Sequence, residues 1–365
     1  MVRSLAFLAA LALFAPQASR ADAPSLETKI GQMIMVGFRG AAPDDEWVET
    51  VRRQIADRKL GGVMHLGYNI GDKAATVAIN RAFSAANPEL PPLIAIDQEG
   101  GRVARLTPAH GFSATPSARD IAATLDPRGA RAAYAHMAAG LAEWGFNVNF
   151  GPVADVDVNP DNPIIGALGR SYSADPETVA DYASAFVLGH RGHGVATSPK
   201  HFPGHGSSAV DSHLALPEIT DSWSRIELEP FRELIACGLA DMVMVGHLHN
   251  ARLQGDSPEP SSLSPAIVRG LLRGELGFDG VVITDDLQME AIAATHTLED
   301  TVLRAVAAGN DILLFANYRE PDIELPEQVI AILAAAAATD PAVAEAIDAS
   351  HGRIVALKAR LTRQE

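Results

Sequence analysis

The chain has 365 residues, of which 47% are hydrophobic and 20% are charged, as is ordinary for a globular protein with a large core. It carries 29 basic and 45 acidic residues, a formal net charge of −16, and the acidic residues are spread along the chain. The electrostatic field of so acidic a protein disfavours binding to nucleic acid or to an anionic membrane. A local basic site for an anionic substrate is still allowed.

The N-terminal segment has the layout of a secretory signal peptide: Arg3 precedes an apolar run over residues 5–15, and small residues follow. The run is shorter than the about 20 apolar residues of a spanning helix, so no membrane span is expected. We predict a leader over residues 1–21 and a mature protein over 22–365 that is periplasmic or secreted. If the start codon is mis-assigned, the protein is cytoplasmic.

Eight apolar runs of strand length follow along the chain. They cover residues 33–38, 62–66, 93–97, 146–150, 195–200, 242–247, 281–286 and 311–316. Alanine-rich stretches between them predict helices, among them residues 74–86, 130–145 and 298–309. Another helix is predicted to begin with Asp175 as N-cap and Pro176 in its first turn, and residues 327–361 predict helices that pack at the end of the domain.

Near-continuous apolar strands that alternate with helices predict a parallel sheet covered on both faces. Closed on itself, such a sheet is a (β/α)8 barrel of the TIM type, usually about 250 residues long and longer with insertions. A doubly wound open sheet is the alternative, but no GxGxxG motif follows the first strand. We therefore expect a single α/β barrel domain over residues 22–365, without a C-terminal second domain.

The single cysteine, Cys237, excludes an intramolecular disulfide. It lies in the apolar stretch LIACGLADMV, where a thiol is usually a small core residue. Cys237 is therefore predicted to be buried and to have no chemical role.

In such barrels the active site lies at the C-terminal ends of the strands. Five of the eight predicted strands end in ionisable groups: Asp97, Glu99 and Arg102 after the third, Asp155 after the fourth, Lys200 and His201 after the fifth, His247 after the sixth, and Asp285 and Asp286 after the seventh. The sequence therefore predicts a charged site at this end of the barrel.

Five segments carry a resemblance to a known family. They are IDQEGGRVARL (96–106), NFGPVADVDVNP (149–160), GRSYSADPETVA (169–180), KHFPGHGSSAVDSH (200–213) and VVITDDLQM (281–289). With these five segments in this order, the chain resembles the single-domain bacterial β-N-acetylhexosaminidases of glycoside hydrolase family 3, which act on peptidoglycan fragments. The resemblance implies retaining hydrolysis through a covalent glycosyl-enzyme intermediate, without a cofactor.

The same resemblance implies the catalytic residues. Asp285, the first aspartate of TDD, is the expected nucleophile, because a carboxylate held at a strand end can attack the anomeric carbon. Side chains alternate along a strand, so Asp286 is instead interpreted as a helix cap or a surface ion-pair residue. His213 is the expected proton donor, with Asp211 beside it on a flexible loop to orient the imidazole and stabilise its charged form.

Substrate-binding roles also follow from the resemblance. Asp97 is expected to accept hydrogen bonds from sugar hydroxyls. Four side chains are expected to donate to hydroxyls or to the N-acetyl carbonyl, namely Arg105, Arg170, Lys200 and His201. His247, at the end of the sixth predicted strand, is expected to line the site.

Three supporting roles are predicted from the residues themselves. Glu99 and Arg102 are interpreted as an ion pair, and His205 as a residue that supports the loop within PGHG. The small residues of this loop are expected to let it move over the nucleophile, and they are Gly204, Gly206, Ser207 and Ser208.

Clustered histidines, including His247 and His249, raise the alternative of a zinc site. Metal-dependent barrels more often use several carboxylate and histidine ligands from different strand ends, so no metal is expected.

The leading hypothesis is an exo-β-N-acetylglucosaminidase that removes terminal GlcNAc from muropeptides or chitooligosaccharides. A β-N-acetylglucosaminide phosphorylase, a β-glucosidase of the same family and a catalytically silent glycan-binding protein are the alternatives. The expected partner is a GlcNAc-containing glycan, and the protein is expected to be a monomer.

Overall fold

The structure, a computed structural model, describes residues 23–255 and 259–362. The predicted leader, residues 1–21, lies outside the described residues, so export stays a prediction.

The strands lie where the apolar runs predict them. In chain order they are β1 (Ile34–Gly37), β2 (Gly62–His65), β3 (Leu93–Ile96), β4 (Gln98–Gly100), β5 (Val103–Ala104), β6 (Val148–Asn149), β7 (Ala196–Thr197), β8 (Met242–Val245), β9 (Val281–Thr284) and β10 (Leu313–Phe315). Each of the eight runs contains one strand, which confirms those predictions. The short hairpin of β4 and β5 has no apolar run and was not predicted.

Most of the strands are parallel. One sheet has the order β10-β1-β2-β3-β6-β7, β8 pairs with β9 in parallel, and β4 pairs with β5 antiparallel. Single parallel bridges, from Phe202 to Val245 and from Ile283 to Ile312, link β8 and β9 to the two edges of the larger sheet. The parallel α/β class is therefore confirmed.

Helices lie between the strands and at the end of the chain. They are α1 (Leu26–Gln32), α2 (Glu46–Ala56), α3 (Lys73–Ala86), α4 (Ala118–Thr124), α5 (Pro127–Glu143), α6 (Pro176–Arg191), α7 (Glu229–Ala236), α8 (Ala251–Gln254), α9 (Glu290–Ala293), α10 (Leu298–Ala308), α11 (Leu325–Thr339) and α12 (Pro341–Thr362). Residues 108–110, 225–228 and 261–263 form 3-10 turns, and residues 266–275 are π-helical.

The predicted start of α6 is confirmed. The Asp175 carboxylate accepts a hydrogen bond from Thr178 N at 3.0 Å, and Pro176 occupies the first turn, where its missing N–H costs nothing.

The parallel strands are buried at every position, as a sheet covered on both faces requires. The terminal helix α12 contributes Ile347, Ile354 and Leu357 to the core and packs against α1, α10 and α11. None of the described helices is long and apolar enough to cross a membrane.

The prediction that Cys237 is buried is wrong, because its thiol is exposed. Cys237 follows the last residue of α7, and the buried face of that helix is formed by Phe231 and Leu234 instead.

Candidate active site

A pocket of about 530 Å³ opens at the C-terminal ends of the strands. Eight of the nine predicted site residues line it, and they are Asp97, Arg105, Arg170, Lys200, His201, Asp211, His213 and Asp285. The fold therefore brings together residues that lie far apart in the sequence.

Asp285 follows the last residue of β9 and is held through its backbone. Its N–H donates to Val245 O at 2.9 Å, and its Oδ1 accepts from Asp286 N at 2.8 Å. Burial raises the pKa of this carboxyl, but His247, His201 and the Asp286 N–H outweigh it and hold the pKa at about 2. Asp285 is therefore a carboxylate at neutral pH.

The interpretation of Asp286 as a helix cap or surface ion-pair residue is wrong, because Asp286 is buried and the N-cap of α9 is Met289. Its Oδ1 accepts from Ala316 N at 2.8 Å and from Gln288 N at 3.1 Å, which ties the end of β9 to the chain that follows β10. Burial raises the pKa of Asp286 to about 6. Adjacent carboxyls in the same pocket wall thus have very different proton affinities.

Five charged side chains form the inner end of the pocket. Lys200 Nζ lies 2.7 Å from Asp97 Oδ1 and 2.7 Å from Glu99 Oε1. Arg170 donates to both oxygens of Glu99 at 2.8 Å, and Arg105 lies 3.4 Å from Asp97. Burial opposes the charges of Asp97, Glu99 and Lys200, yet the opposite charges around them lower the pKa of Asp97 and Glu99 and raise that of Lys200. The cluster therefore presents fixed, charged hydrogen-bonding groups to a polyhydroxylated ligand.

The predicted ion pair between Glu99 and Arg102 is wrong. Gly100 and Gly101, with φ of +105° and +57°, turn the chain between β4 and β5 and leave Arg102 exposed. Glu99 points into the pocket instead and pairs with Arg170 and Lys200.

Asp155, to which no role was given from the sequence, fixes the start of the 200–213 segment. Its Oδ2 lies 2.7 Å from His201 Nδ1, and its Oδ1 accepts from His201 N at 3.1 Å and from His205 N at 2.8 Å. Because Nδ1 of His201 is held by Asp155, its Nε2 lies on the pocket side, 3.5 Å from Arg170 Nη2. The only sequence signal was the position of Asp155 at a predicted strand end.

The structure also brings His213 and Asp211 together. His213 Nδ1 lies 2.8 Å from Asp211 Oδ1, and the same oxygen accepts from His213 N at 2.8 Å. The His213 side chain is 53% exposed, so its Nε2 can meet both a ligand in the pocket and solvent.

Comparisons with known proteins show the family to which this chain belongs. The profile described as "Glycosyl hydrolase family 3 N terminal domain" matches residues 25–357. The chain belongs to glycoside hydrolase family 3. The resemblance carried by the five segments is thus confirmed, and the chain is a glycosidase by family.

Two related proteins and one solved structure are similar to this chain. Beta-hexosaminidase A of Pseudoalteromonas piscicida is 36% identical over 83% of this chain and 54% of that protein, so the chain spans about half of its length. The beta-hexosaminidase of Tolumonas auensis is 37% identical over 78% of this chain and 83% of its own. The solved family 3 beta-N-acetylglucosaminidase from Paenibacillus sp. str. FPU-7 has a TM-score of 0.84 at 36% identity, covering 93% of this chain and 63% of that one.

His247 lies behind the pocket of this family 3 domain and is not among its lining residues. It is fully buried, with Nδ1 at 2.8 Å from Ser262 Oγ and Nε2 at 2.9 Å from Asp286 O. Burial lowers the pKa of His247. Its position suits it to support the strand end that carries Asp285.

The glycines of the 200–213 segment are buried, contrary to their expected role in loop movement. A Cβ on Gly206 would lie 1.7 Å from Val156 O, and one on Gly204, whose φ is +122°, would lie 2.6 Å from Glu227 Cβ. Glu227 is itself buried and accepts from Ser207 N at 3.2 Å. Close packing, rather than mobility, explains these glycines.

His205 lies inside the same segment. Its Nδ1 is 2.9 Å from Ser208 Oγ and its Nε2 is 3.2 Å from Ser212 Oγ. Burial lowers the pKa of His205 to about 4, so the ring is neutral at neutral pH. These contacts agree with a supporting role.

Within the described parts of the chain, no group of three or more His, Cys, Asp or Glu side chains is arranged to hold a metal ion.

Proposed function

We propose that this protein is a retaining exo-β-N-acetylglucosaminidase that removes terminal β-linked GlcNAc from muropeptides or chitooligosaccharides. The observation that carries the proposal is one pocket in which an ionised Asp285 and the His213–Asp211 pair both face the ligand space. The printed names of the relatives, beta-hexosaminidase and beta-N-acetylglucosaminidase, support the same activity.

In the first step an Asp285 oxygen attacks the anomeric carbon while His213 Nε2 gives its proton to the glycosidic oxygen. The aglycone leaves as a neutral alcohol, and the sugar stays bound to Asp285 as an ester. Asp211 stabilises the imidazolium before the transfer and keeps Nε2 directed away from itself.

In the second step His213 removes a proton from water, the hydroxyl attacks the anomeric carbon, and the bond to Asp285 breaks. The ion cluster of Asp97, Lys200 and Arg170 holds the sugar hydroxyls throughout. Because its charges are fixed by each other, little reorganisation is needed when the ligand enters.

We also propose that the parallel strands close into one (β/α)8 barrel. The bridges at Phe202–Val245 and Ile283–Ile312 support closure, because each connects one edge of the larger sheet to the β8–β9 pair.

The test is hydrolysis of an aryl β-GlcNAc by the Asp285→Ala protein. We expect kcat to fall by about 10³-fold or more, because the covalent step has no other nucleophile. Equal unfolding temperatures for variant and wild type show that the fold is intact. Full activity in a folded Asp285→Ala protein would end the mechanism.

A phosphorylase is the second candidate, favoured by the imidazole acid/base. A histidine repels an incoming phosphate dianion less than a carboxylate would. A rate that rises with phosphate, together with release of GlcNAc-1-phosphate, would decide for it. Faster hydrolysis of the aryl β-glucoside than of the β-GlcNAc would decide for a β-glucosidase.

A further inference from the structure

A second pocket, here called the base pocket, lies at the opposite end of the strands from Asp285. It has a volume of about 230 Å³. It is formed where the end of α6, the start of β7, the chain just before β8 and the last turn of α12 meet. The base pocket and the active-site pocket share no lining residue, so they are separate sites.

Part of the base pocket is apolar. Val195 and Ala196 come from the start of β7, and Leu357 and Leu361 come from α12. Three of them, Val195, Ala196 and Leu357, are buried members of the hydrophobic core, and Leu361 packs against that core. Because an apolar cavity of about 150 Å³ can hold benzene, the base pocket has room for a small ring or a short alkyl chain.

The charged lining of the base pocket consists of two arginines and one aspartate. Arg191 Nη2 lies 3.1 Å from Asp241 Oδ1, and Arg360 Nη2 lies 3.6 Å from the same oxygen. Over residues 23–255 and 259–362 no other carboxylate lies within ion-pair distance of either arginine. The base pocket therefore has an excess of positive charge in a protein whose formal net charge is −16.

The two arginines also have N–H groups to offer. Arg191 donates through Nη2, to Asp241 Oδ1 and to Gly238 O at 3.0 Å. The 3.6 Å that separates Arg360 Nη2 from Asp241 is too long for a hydrogen bond. The Arg191 and Arg360 side chains are 33% and 57% exposed, so a ligand from solvent can reach them. A guanidinium can hold a carboxylate through a parallel pair of N–H groups.

We propose that the base pocket binds a small organic carboxylate whose other end is apolar. The carboxylate accepts hydrogen bonds from Arg191 and Arg360, and the apolar part lies against Val195 and Leu357. The single excess positive charge matches a monoanion. A phosphate dianion would bring a further negative charge close to Asp241. The site is independent of the proposed glycosidase activity, because it contains none of the residues to which that activity is assigned.

The experiment compares the binding of benzoate, benzamide and benzamidine to the intact protein by NMR titration. The three molecules have nearly the same shape and are negative, neutral and positive. Benzamidine is included because Asp241 and the carbonyl ends of α6 and α12 would attract a cation. We expect benzoate to bind with a Kd on the order of 1 mM, as suits a ligand of about nine non-hydrogen atoms.

Benzoate should bind about fivefold more tightly than benzamide, as for a partly exposed ion pair, and this advantage should shrink as salt is raised. Benzamidine should bind more weakly than benzamide. The advantage of benzoate should decrease in Arg191→Gln and in Arg360→Gln and disappear in the double variant. Arg53→Gln is the matched control. It removes the same charge from α2, where Arg53 donates to Thr50 outside the base pocket, and should keep the advantage.

Equal affinities for benzoate and benzamide in the wild type would overturn the site, as would an advantage that survives in the double variant. Tighter binding of benzamidine than of benzoate would show that Asp241 governs the pocket, and would also overturn it. A protein shortened to end at Thr362 should bind benzoate as the full chain does. If only the shortened protein binds benzoate, the end of the chain is the occupant and the proposal fails. None of these measurements depends on turnover, so they are distinct from a failure to hydrolyse an aryl β-GlcNAc.

Discussion

Replacement of Lys200 by methionine tests the ion cluster at the inner end of the pocket. Lys200 is 2% exposed and lies between Asp97 and Glu99, 2.7 Å from each. Methionine keeps most of the volume and removes the charge. Removing one partner of a buried ion pair typically costs about 3–5 kcal/mol, because the other charge stays buried without compensation.

The contacts decide where in that range the loss should fall. Glu99 keeps its two hydrogen bonds from Arg170, so it stays compensated. Asp97 keeps only Arg105, at 3.4 Å and with a side chain that is 34% exposed. Most of the cost therefore falls on Asp97, and we expect the free energy of unfolding at pH 7 to drop by about 3 kcal/mol.

The loss should depend on pH with a defined sign. In the wild type the pKa of Asp97 is below its unfolded value despite burial, because Lys200 and Arg105 favour the carboxylate. That stabilisation is present above the unfolded pKa and is lost as pH falls through the folded pKa. In Lys200→Met the Asp97 pKa rises, so the deficit relative to wild type should shrink on acidification.

Urea unfolding at neutral and acidic pH measures both effects. The matched control is the double variant Lys200→Met/Asp97→Asn, in which the uncompensated charge is gone. We expect it to be more stable at neutral pH than Lys200→Met alone. The reasoning is refuted if Lys200→Met matches the wild type, or if the double variant recovers nothing.

Two further predictions concern the 200–213 segment and its support. His213→Ala should slow hydrolysis of a disaccharide far more than that of a nitrophenyl glycoside, because only the poorer leaving group needs a proton; equal losses on both substrates would remove His213 as the acid. Glu227→Gln should stabilise the protein at pH 8. Burial raises the pKa of Glu227 from an unfolded value of 4.5 to about 8. The wild type therefore loses stability as the pH rises from 4.5 to about 8, whereas the variant does not, because a glutamine amide does not ionise. Urea unfolding should show that the free energy of unfolding of Glu227→Gln exceeds that of the wild type by on the order of a few kcal/mol at pH 8, and that the difference vanishes near pH 4. A lower free energy of unfolding for the variant at pH 8 would contradict the prediction.

The strands were predictable because a parallel sheet buries both faces of each strand. Runs such as 242–247 and 281–286 therefore contain consecutive apolar residues, which periodicity identifies directly. The β4–β5 hairpin escaped prediction because Gln98–Gly100 is polar although it is buried. Its burial depends on distant parts of the chain, because Glu99 pairs with Arg170 and Gln98 N donates to Asn149 Oδ1 at 2.9 Å.

The location of the site was predictable for a related reason, since the ends of parallel strands meet at one face. Which charged side chains pair with each other inside the site could not be predicted. Glu99 and Arg102 are near in sequence, but Glu99 pairs with Arg170, which lies 71 positions away. A buried charge is stable only where an opposite charge lies close enough to offset the free energy lost on desolvation. This depends on distances in the folded protein and not on the spacing of residues along the sequence.

The same distinction applies to the glycine-rich segment. Side chains at 204 and 206 would collide with Glu227 and with Val156 O, so these glycines permit close packing. Residues 201–208 are buried, whereas 209 and 210 are exposed, and Asp211 and His213 follow them. The segment therefore has a buried part, which holds Lys200 and His201 at the pocket, and an exposed part, which carries His213, the proposed proton donor. If His213 moves towards a bound glycoside, we expect the movement to arise after Ser208, because the N–H groups of His201, His205 and Ser207 donate to Asp155 and Glu227.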